Sequence, residues 1–301
     1  MPQPIQTYAL LEERGLLAVS GGDARAFLQS LITNNVDKVT PERAIYAALL
    51  TPQGKFLHDF FVAELGGRLV LDCEGDRLAE LERRLTLYRL RADVVLEDLG
   101  PDWRVAALIG AGALGPLGLE LKPGQTIALG HGIAFTDPRL AAIGGRAILP
   151  SESAAATLES QGLAPADAAD YDRARLAAGL PDGSRDMIVE KATLLESGFD
   201  ELAGVDFKKG CFVGQELTAR VKYRGLVRKR LMPVAIEGPL PAPGTPIMAG
   251  ERRAGELRSG RDGTAIALLR LDEIERAKES GATLTAGEAR ISPLKPDWAE
   301  F

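Results

Sequence analysis

Residues 207–231, FKKGCFVGQELTARVKYRGLVRKRL, combine a cysteine, a predicted helix start and a concentration of basic residues. Cys211 follows two lysines and lies between Gly210 and Gly214, and residues 215–223 are predicted to form a helix. Because a helix N-terminus and nearby ammonium groups both favour thiolate over thiol, we expect a reactive or metal-binding cysteine. The alternative is a buried cysteine that acts only as a small hydrophobic residue.

The charge of the chain is unevenly distributed. The whole chain has 36 Lys and Arg against 42 Asp and Glu, a net charge of −6, whereas residues 208–230 contain eight Lys and Arg and one acid, Glu216. An acidic chain of this kind is not expected to coat nucleic acid. A module that reads RNA through the basic segment is the weakest hypothesis, because few aromatic residues accompany the charges.

Composition limits the class of protein and its location. The 301 residues, 46% hydrophobic and 26% charged, are typical of a globular protein with a large core and two or three domains. No apolar run is long enough to span a membrane, and the N-terminal residues do not resemble a signal peptide. The two cysteines, Cys73 and Cys211, lie 138 positions apart and predict no structural disulfide. We therefore expect a cytoplasmic protein without membrane association.

The hydrophobic pattern predicts an α+β fold. Residues 23–32 and 76–89 have helical spacing, and between them "TPQG" and "GG" separate strand-like runs. Further helices are predicted in 153–162 and 170–179. Beyond residue 228 short strand-like runs alternate with Gly and Pro, which favours a small antiparallel β-barrel or sandwich.

Other chemistry is sparse. The pair His58-Asp59 lies in a predicted strand, so the two side chains should face opposite sides, and Asp59 is a candidate for binding a polar ligand. An ordinary Asp at the rim of a sheet is the alternative. The two histidines and two cysteines show no metal-ligand spacing, so a complete metal site within the chain is not expected. A site shared with a partner stays open.

The segment around Cys211 resembles the signature of the YgfZ-type folate-binding proteins, K-G-C-[aromatic]-x-G-Q-E followed by A-R and R-G. These proteins are similar to the glycine-cleavage T-protein (aminomethyltransferase) and include a mitochondrial factor that helps to assemble [4Fe–4S] clusters. The segments "FLQSLITNNV", "LLTPQGKFLHDFFV", "DPRLAAIGGRAILP" and "YDRARLAAGLPDG…LLESGFDELAGVDFKKGC" agree with the family as well. The resemblance covers roughly residues 15–235.

The resemblance implies three subdomains around a central channel. The expected division is a T-protein-like folate-binding region over 1–227 and a C-terminal antiparallel β-barrel over 228–301. Within the first region, about 1–42 and 130–227 form one subdomain, and about 43–129 form an inserted α+β subdomain.

The function that the resemblance implies is that of a tetrahydrofolate-binding accessory protein for the maturation or repair of [4Fe–4S] proteins, an assembly factor rather than an enzyme. Cys211 is expected to supply a functional thiolate that either ligates a transient [2Fe–2S] cluster shared with an A-type iron–sulfur carrier protein or performs thiol chemistry on an intermediate. [4Fe–4S] client proteins are further expected partners. The other expected site residues are Lys209, Gln215 and Glu216 beside the thiolate, with the latter two capping the helix, and Asp59, Arg175, Glu196 and Arg220 for the folate. Lys208, Lys209, Arg220 and Arg224 are expected to hold negative charge, including the glutamate tail of the folate.

Departures from the T-protein leave a second hypothesis open, a folate-dependent one-carbon transferase with Asp59 as acid/base or ammonium-orienting group. Where the T-protein has paired acids this chain has His58-Asp59, and "TDPRLAAIGG" lacks the glutamate of a folate-contacting stretch. Aminomethyl transfer is therefore the less favoured function. For Arg175 and Glu196 the alternative to a folate contact is a buried or bridging ion pair.

Overall fold

The computed structural model describes residues 6–225 and 227–300 and divides into two compact units. The first comprises the described residues up to Leu50, Leu57–Tyr171 and Leu202–Val213. The second comprises Thr51–Phe56, Asp172–Glu201 and the described residues from Gly214 onward. The predicted division into 1–42 plus 130–227, 43–129 and 228–301 stays a prediction.

Helices and strands alternate along both units. The α-helices are α1 Ala24–Leu31, α2 Leu78–Arg89, α3 Ala154–Ser160, α4 Ala168–Ala178, α5 Gly183–Asp186, α6 Gln215–Tyr223 and α7 Leu271–Ser280. The strands are β1 Thr7–Leu10, β2 Arg14–Ser20, β3 Ile45–Leu50, β4 Phe56–Leu65, β5 Arg68–Glu74, β6 Val95–Asp98, β7 Trp103–Ile109, β8 Thr126–Leu129, β9 Gly132–Thr136, β10 Gly144–Pro150, β11 Ala164–Pro165, β12 Lys229–Glu237, β13 Pro246–Ala249, β14 Arg252–Arg261, β15 Thr264–Arg270, β16 Leu284–Ala286 and β17 Ala289–Pro293.

Two sheets form the core of the first unit. One has the order β3-β4-β5-β2-β6 and the other the order β11-β1-β7-β10-β9-β8. The two strand-like runs that "GG" separates are β4 and β5, and they form an antiparallel hairpin in which Leu65 pairs with Arg68 across Gly66-Gly67. Nearly all of β4 is buried, which is the pattern of a strand covered on both faces rather than one.

A buried ion-pair network links the two sheets of the first unit. Asp72 on β5 accepts hydrogen bonds from Arg14 Nε on β2 (2.6 Å) and from Arg146 Nη1 on β10 (2.9 Å). All three side chains are at most 4% exposed. Because each charge has a partner of opposite sign, the network can exist away from water.

The C-terminal part of the second unit is a closed six-stranded barrel with the order β12-β15-β14-β13-β16-β17, which confirms the predicted antiparallel barrel. Its core contains Val234, Leu257 and Ala267. Helix α7 follows β15 and adds Ile274 and Ala277 to the same cluster. The sequence-based prediction missed α7, because its three-residue spacing of apolar positions is short and lies between strand-like runs.

Other predicted elements agree with the structure. Helices α1 and α2 lie within the predicted segments 23–32 and 76–89, and α6 has the predicted bounds. Among the described residues no helix is long and apolar enough to cross a membrane.

Replacement of Asp72 by alanine should destabilise the protein strongly. Arg14 and Arg146 would then be buried without their shared carboxylate, and breaking one side of a buried ion pair costs about 3–5 kcal/mol. Glu97→Ala is the matched control in the same sheet, because its ion pair with Arg68 is exposed and should contribute about 0–1 kcal/mol. Denaturant unfolding measures both, and equal losses in the two variants would contradict the network's structural role.

Candidate functional site

Cys211 lies on an exposed loop and is a free thiol. The loop depends on two glycines. Gly210 (φ +97°) and Gly214 (φ +81°) have backbone angles in the left-handed region, which side chains disfavour. A Cβ at Gly210 would meet nothing within 4 Å, so this glycine is required by its backbone angle and not by space. The two turns bracket Cys211, while its neighbour Phe212 is buried.

The Lys209 side chain fixes this loop to the end of α1. Its Nζ donates hydrogen bonds to the carbonyl oxygens of Ile32 (2.5 Å) and Asn34 (2.7 Å). It also lies 5.4 Å from the centroid of the Phe212 ring. Carbonyl groups at a helix C-terminus lack partners within the helix and favour a cation there. Lys209 therefore holds the loop in place. Its predicted role beside the thiolate stays a prediction.

Further hydrogen bonds join the chain just before Lys209 to residues that follow α1. Thr33 Oγ1 donates to the Gly204 carbonyl (2.7 Å), and Asn34 Nδ2 donates to the Ala203 carbonyl (2.8 Å). The Asp206 amide donates to the Thr33 carbonyl (3.0 Å). Thr33 and Asn34 are buried, so the chain segment that leads to Cys211 is held against the residues that follow α1.

Helix α6 begins directly after Gly214, which is its N-cap and has no side chain to offer. The expectation that Gln215 and Glu216 cap the helix is therefore not met at the N-cap position. Glu216 lies exposed in the first turn, where a negative charge complements the helix dipole. Arg220 is exposed on the same helix.

The basic segment is only partly a surface feature. Arg230 is buried and pairs with Glu201 (2.5 Å), while Lys209 is bound to backbone carbonyls. Lys222 lies 3.7 Å from Asp200. The remaining basic residues of the segment, Lys208, Arg220, Arg224, Arg228 and Lys229, are exposed.

Asp59 is buried and belongs to a polar cluster that we call the arginine–tyrosine cluster, formed by Tyr46, Asp59, Arg139, Arg146 and Tyr171. Tyr46 donates a hydrogen bond to Asp59 Oδ2 (2.8 Å), and burial raises the pKa of Tyr46 well above its usual value. Arg139 and Arg146 both donate to the Tyr171 hydroxyl (3.2 and 2.9 Å). Asp59 therefore lies inside a packed network and not at a sheet rim.

The sequence-based prediction did not identify the two arginines of this cluster. Arg139 forms a 2.8 Å ion pair with Asp137 and lies 4.8 Å from the centroid of Phe61, and Arg146 lies 4.2 Å from the same ring. The available signal was two arginines within the mainly apolar stretch 132–150, where a charge must be paired if the strands are buried.

His58 is buried as well as Asp59, so both sides of the strand that these adjacent residues were predicted to face are covered. Burial lowers the pKa of His58 to about 3, so its imidazole is neutral near pH 7. Burial likewise raises the pKa of the Cys73 thiol to about 12, which makes Cys73 an inert counterpart of Cys211.

Arg175 is buried within the second unit, and its guanidinium is bound by protein groups. Nε donates to Asp172 (2.8 Å), Nη1 to Asp186 (2.8 Å) and Nη2 to the Ser259 hydroxyl (2.8 Å). These contacts agree with the alternative of a buried ion pair. We therefore do not assign a ligand to Arg175.

Glu196 lines a cavity of about 310 Å³ in the second unit. Thr193 donates a hydrogen bond to one of its carboxylate oxygens (2.9 Å). Lys191, Glu256 and Arg258 also line the cavity. Its volume is at the lower end of the range of about 300–1,000 Å³ that small-molecule sites occupy. Glu196, one of the residues predicted to bind the folate, therefore lies at the wall of a cavity.

Comparison with solved structures identifies the fold. The chain superposes on the crystal structure of glycine cleavage system aminomethyltransferase T from Bartonella henselae with a TM-score of 0.77, over 98% of this chain and 87% of that one. The sequence identity is 18%, so this likeness establishes the fold alone. Residues 12–117 match the GCVT N-terminal domain, and residues 228–301 match the CAF17 C-terminal beta-barrel domain. The predicted T-protein-like fold is confirmed.

Comparison with curated proteins then identifies the family. The chain is 33% identical over 311 residues to "Iron-sulfur cluster assembly factor IBA57, mitochondrial" of Mus musculus, and 34% identical over 309 residues to the Homo sapiens protein of the same name. Each alignment covers 96% of this chain and 84% of the relative. The chain belongs to the IBA57 family.

Two predictions are corrected by these relatives. The resemblance named YgfZ-type proteins, whereas the matched relatives are named IBA57 iron-sulfur cluster assembly factors. The prediction of a cytoplasmic location is wrong, since the relatives are named as mitochondrial proteins. It rested on cysteine usage, which argues against an oxidising compartment but does not distinguish among reducing ones.

Lys209→Met should loosen the Cys211 loop. The substitution removes both hydrogen bonds to the α1 end and leaves two carbonyl groups without this donor, a loss of about 1–3 kcal/mol. Amide hydrogen exchange over residues 206–212 should become faster. Lys208→Met is the matched control, because the neighbouring side chain is exposed. Equal exchange in both variants would show that Lys209 does not hold the loop.

The stability contributed by Lys209 should depend on pH. Burial lowers its pKa from 10.5 to about 8, so between these values the unfolded chain binds more protons than the folded one. Stability therefore rises with pH in this window. We expect the wild type to gain stability relative to Lys209→Met between about pH 8 and pH 10, as measured by urea unfolding. A stability difference that stays constant over this pH range would contradict the lowered pKa of the half-buried Lys209 ammonium.

Proposed function

We propose that this chain is an accessory factor for the maturation or repair of [4Fe–4S] proteins, with the Cys211 thiolate as its functional group and tetrahydrofolate or a derivative as a bound cofactor. The observation that carries the proposal is an exposed, free cysteine on a loop that Lys209 fixes to α1. The names of its relatives, iron-sulfur cluster assembly factors, support the same function.

Cys211 fits a cluster ligand because the thiolate is the form of cysteine that binds metal, and exposure lets a second protein approach it. Within residues 6–225 and 227–300 no group of three or more His, Cys, Asp or Glu is arranged to hold a metal ion. Iron–sulfur clusters take four protein ligands as a rule. In our proposal Cys211 contributes one ligand to a transient [2Fe–2S] cluster, and an A-type iron–sulfur carrier protein contributes the others.

The chain's part in this exchange is positional. The hydrogen bonds of Lys209 and the left-handed turns at Gly210 and Gly214 fix the loop with the Cys211 side chain exposed. Little ordering of the loop is therefore needed when a partner binds. The exposed cations Lys208 and Arg220 favour a partner of negative charge. [4Fe–4S] client proteins receive the cluster in this proposal.

Folate binding is supported by the chemistry of the cavity beside Glu196. A pterin ring presents several N–H donors, and the carboxylates of Glu196 and Glu256 are acceptors at the cavity wall. Ile188 and Leu231 supply apolar surface for the flat ring. Tetrahydrofolate would supply one-carbon chemistry when bound, and Glu196, Glu256, Ile188 and Leu231 would bind and orient it.

The alternative of a one-carbon transferase has no specific support at Asp59. Its carboxylate is buried and accepts the Tyr46 hydroxyl hydrogen bond inside the arginine–tyrosine cluster. We therefore assign Asp59 to the folding of the first unit in this proposal.

Cys211→Ser should abolish the activity of [4Fe–4S] enzymes in cells that depend on this protein. Serine keeps the size of the side chain but does not provide the thiolate. Cys73→Ala is the control, because this cysteine is buried and its pKa is raised to about 12. Enzyme assays should show full activity with the control and a deletion-like loss with Cys211→Ser. Full activity with Cys211→Ser would contradict the proposal; a loss in Asp59→Ala would not by itself favour the transferase, because Asp59 is buried in the arginine–tyrosine cluster.

Glu196→Gln should weaken the binding of tetrahydrofolate about 10- to 100-fold, the effect of losing a hydrogen bond to a charged acceptor of about 1.5–3 kcal/mol. Glu279→Gln, an exposed substitution on α7, is the control. Isothermal titration calorimetry measures both affinities. Unchanged affinity in Glu196→Gln would exclude this cavity as the folate site.

A further inference from the structure

The C-terminal end of α2 exposes large apolar side chains. Leu87 is 65% exposed, Tyr88 41% and Leu90 88%. In contrast, Leu81 and Leu85 of the same helix are buried. Because Leu87 follows Leu85 by little more than half a helical turn, its side chain faces away from the buried side of the helix. Leu87, Tyr88 and Leu90 therefore contribute little to the stability of the folded chain, since they remain largely in water.

Leu90 ends α2 with a backbone angle that does not suit leucine. It is the C-cap residue and has φ +47°, a left-handed value that glycine adopts readily and that is unfavourable for a residue with a side chain. Among the described residues no large hydrophobic side chain is more exposed. Glycine would serve the fold better here, so leucine at this position points to a contact with something outside the chain.

The same end of the helix is strongly basic. Residues 83–91 contain four arginines and no acid, although the net charge of the whole chain is −6. Arg84 is held in an ion pair within the helix. Arg83, Arg89 and Arg91 are exposed and form no ion pair with another described residue. These three charges are therefore available to an anionic partner.

Cations and apolar side chains share one surface. Arg83 lies four residues before Leu87 and thus on the same face of α2. We call this surface the α2 tip, and its members are Arg83, Leu87, Tyr88, Arg89, Leu90 and Arg91.

The chemistry of the α2 tip fits an anionic lipid bilayer. Arginine donates to phosphate oxygens in a bidentate manner, while its aliphatic stem can lie along apolar chains. The ring and hydroxyl of Tyr88 suit the level of the headgroups. Leu87 and Leu90 project with little protein around them. A fluid bilayer takes up such side chains wherever they project, whereas a protein partner needs a matching cavity for each of them, so the geometry favours a bilayer over an acidic protein.

We propose that the α2 tip binds the surface of a membrane that contains anionic phospholipids, with Leu87 and Leu90 at the boundary between headgroups and acyl chains and the arginines on the phosphates. The inference is independent of the proposed roles of Cys211 and of folate. It departs from the expectation of no membrane association, which rested on the lack of a spanning segment, because binding at the surface needs no such segment. Few cations and few apolar side chains give a reversible attachment that salt weakens.

Co-sedimentation of the full chain with lipid vesicles tests the inference. Mixed vesicles of phosphatidylcholine and phosphatidylglycerol in equal parts should bind the chain at least about tenfold more strongly than vesicles of phosphatidylcholine alone. High salt should weaken the binding to the mixed vesicles. Arg83→Gln and Arg91→Gln should each weaken it about fivefold. Arg290→Gln, an exposed substitution on β17, is the matched control and should leave it unchanged.

Leu90→Gly separates the membrane role from folding. The substitution removes the projecting side chain and should weaken binding to the mixed vesicles about five- to tenfold. Because glycine tolerates a φ of +47°, the midpoint of urea unfolding should stay the same or rise. Leu121→Gly is the matched control, because this leucine is 62% exposed and lies outside the α2 tip, and vesicle binding should not change.

Four results would overturn the inference. The first is equal binding to the two kinds of vesicle, or binding to neither. The second is binding that the arginine substitutions weaken but Leu90→Gly does not, which would show attachment to any polyanion. The third is an equal loss in Leu90→Gly and Leu121→Gly. The fourth is a lower unfolding midpoint in Leu90→Gly, which would show that Leu90 serves the fold.

Analytical ultracentrifugation of the free chain distinguishes the other occupants. If vesicles do not bind and Leu90→Gly abolishes a self-association of the chain, a second copy covers the α2 tip and the lipid inference is wrong. If vesicles do not bind and the chain is monomeric, an acidic protein is left as the occupant, and the lipid inference is wrong as well.

Discussion

The position of the exposed cysteine depends on one half-buried ammonium group. Lys209 donates to two carbonyl oxygens just beyond α1 while its side chain lies largely out of water, and this burial lowers its pKa to about 8. Gly210 can then turn sharply and Cys211 can face outward, because the residue before the turn is fixed. A lysine next to a cysteine suggests electrostatic activation, but here its hydrogen bonds determine where the sulfur lies.

Charge serves two separate purposes in this chain. Inside each unit arginines are matched with carboxylates, as in the Asp72 network of the first unit and around Arg175 in the second. At the surface, cations such as Lys208 and Arg220 are exposed, and the proposal assigns them to a partner. The same residue type thus stabilises the fold where it is buried and, in our proposal, recognises negative charge where it is exposed.

The parts of the structure that follow from local spacing could be predicted from the sequence. The bounds of α6 were predicted from helical spacing, and the Gly and Pro between short strand-like runs predicted an antiparallel barrel or sandwich, of which the structure has the barrel. The contacts of Lys209 with Ile32 and Asn34 could not be predicted, since they join positions more than 170 residues apart. The arginine–tyrosine cluster could not be predicted either, because its members are far apart in the sequence. They come from β3, β4, β10, α4 and the chain before β10. Asp59 was recognised as unusual, but its partner Tyr46 was not.

The central claim is that Cys211 supplies one ligand of a cluster that a partner protein completes. It is tested most directly by mixing the purified chain with a cluster-loaded A-type carrier protein and measuring iron and acid-labile sulfide that co-elute with the complex in gel filtration. The account predicts that the wild type and Cys73→Ala retain the cluster in the complex, and that Cys211→Ser does not. Equal retention of iron and sulfide by Cys211→Ser would contradict it.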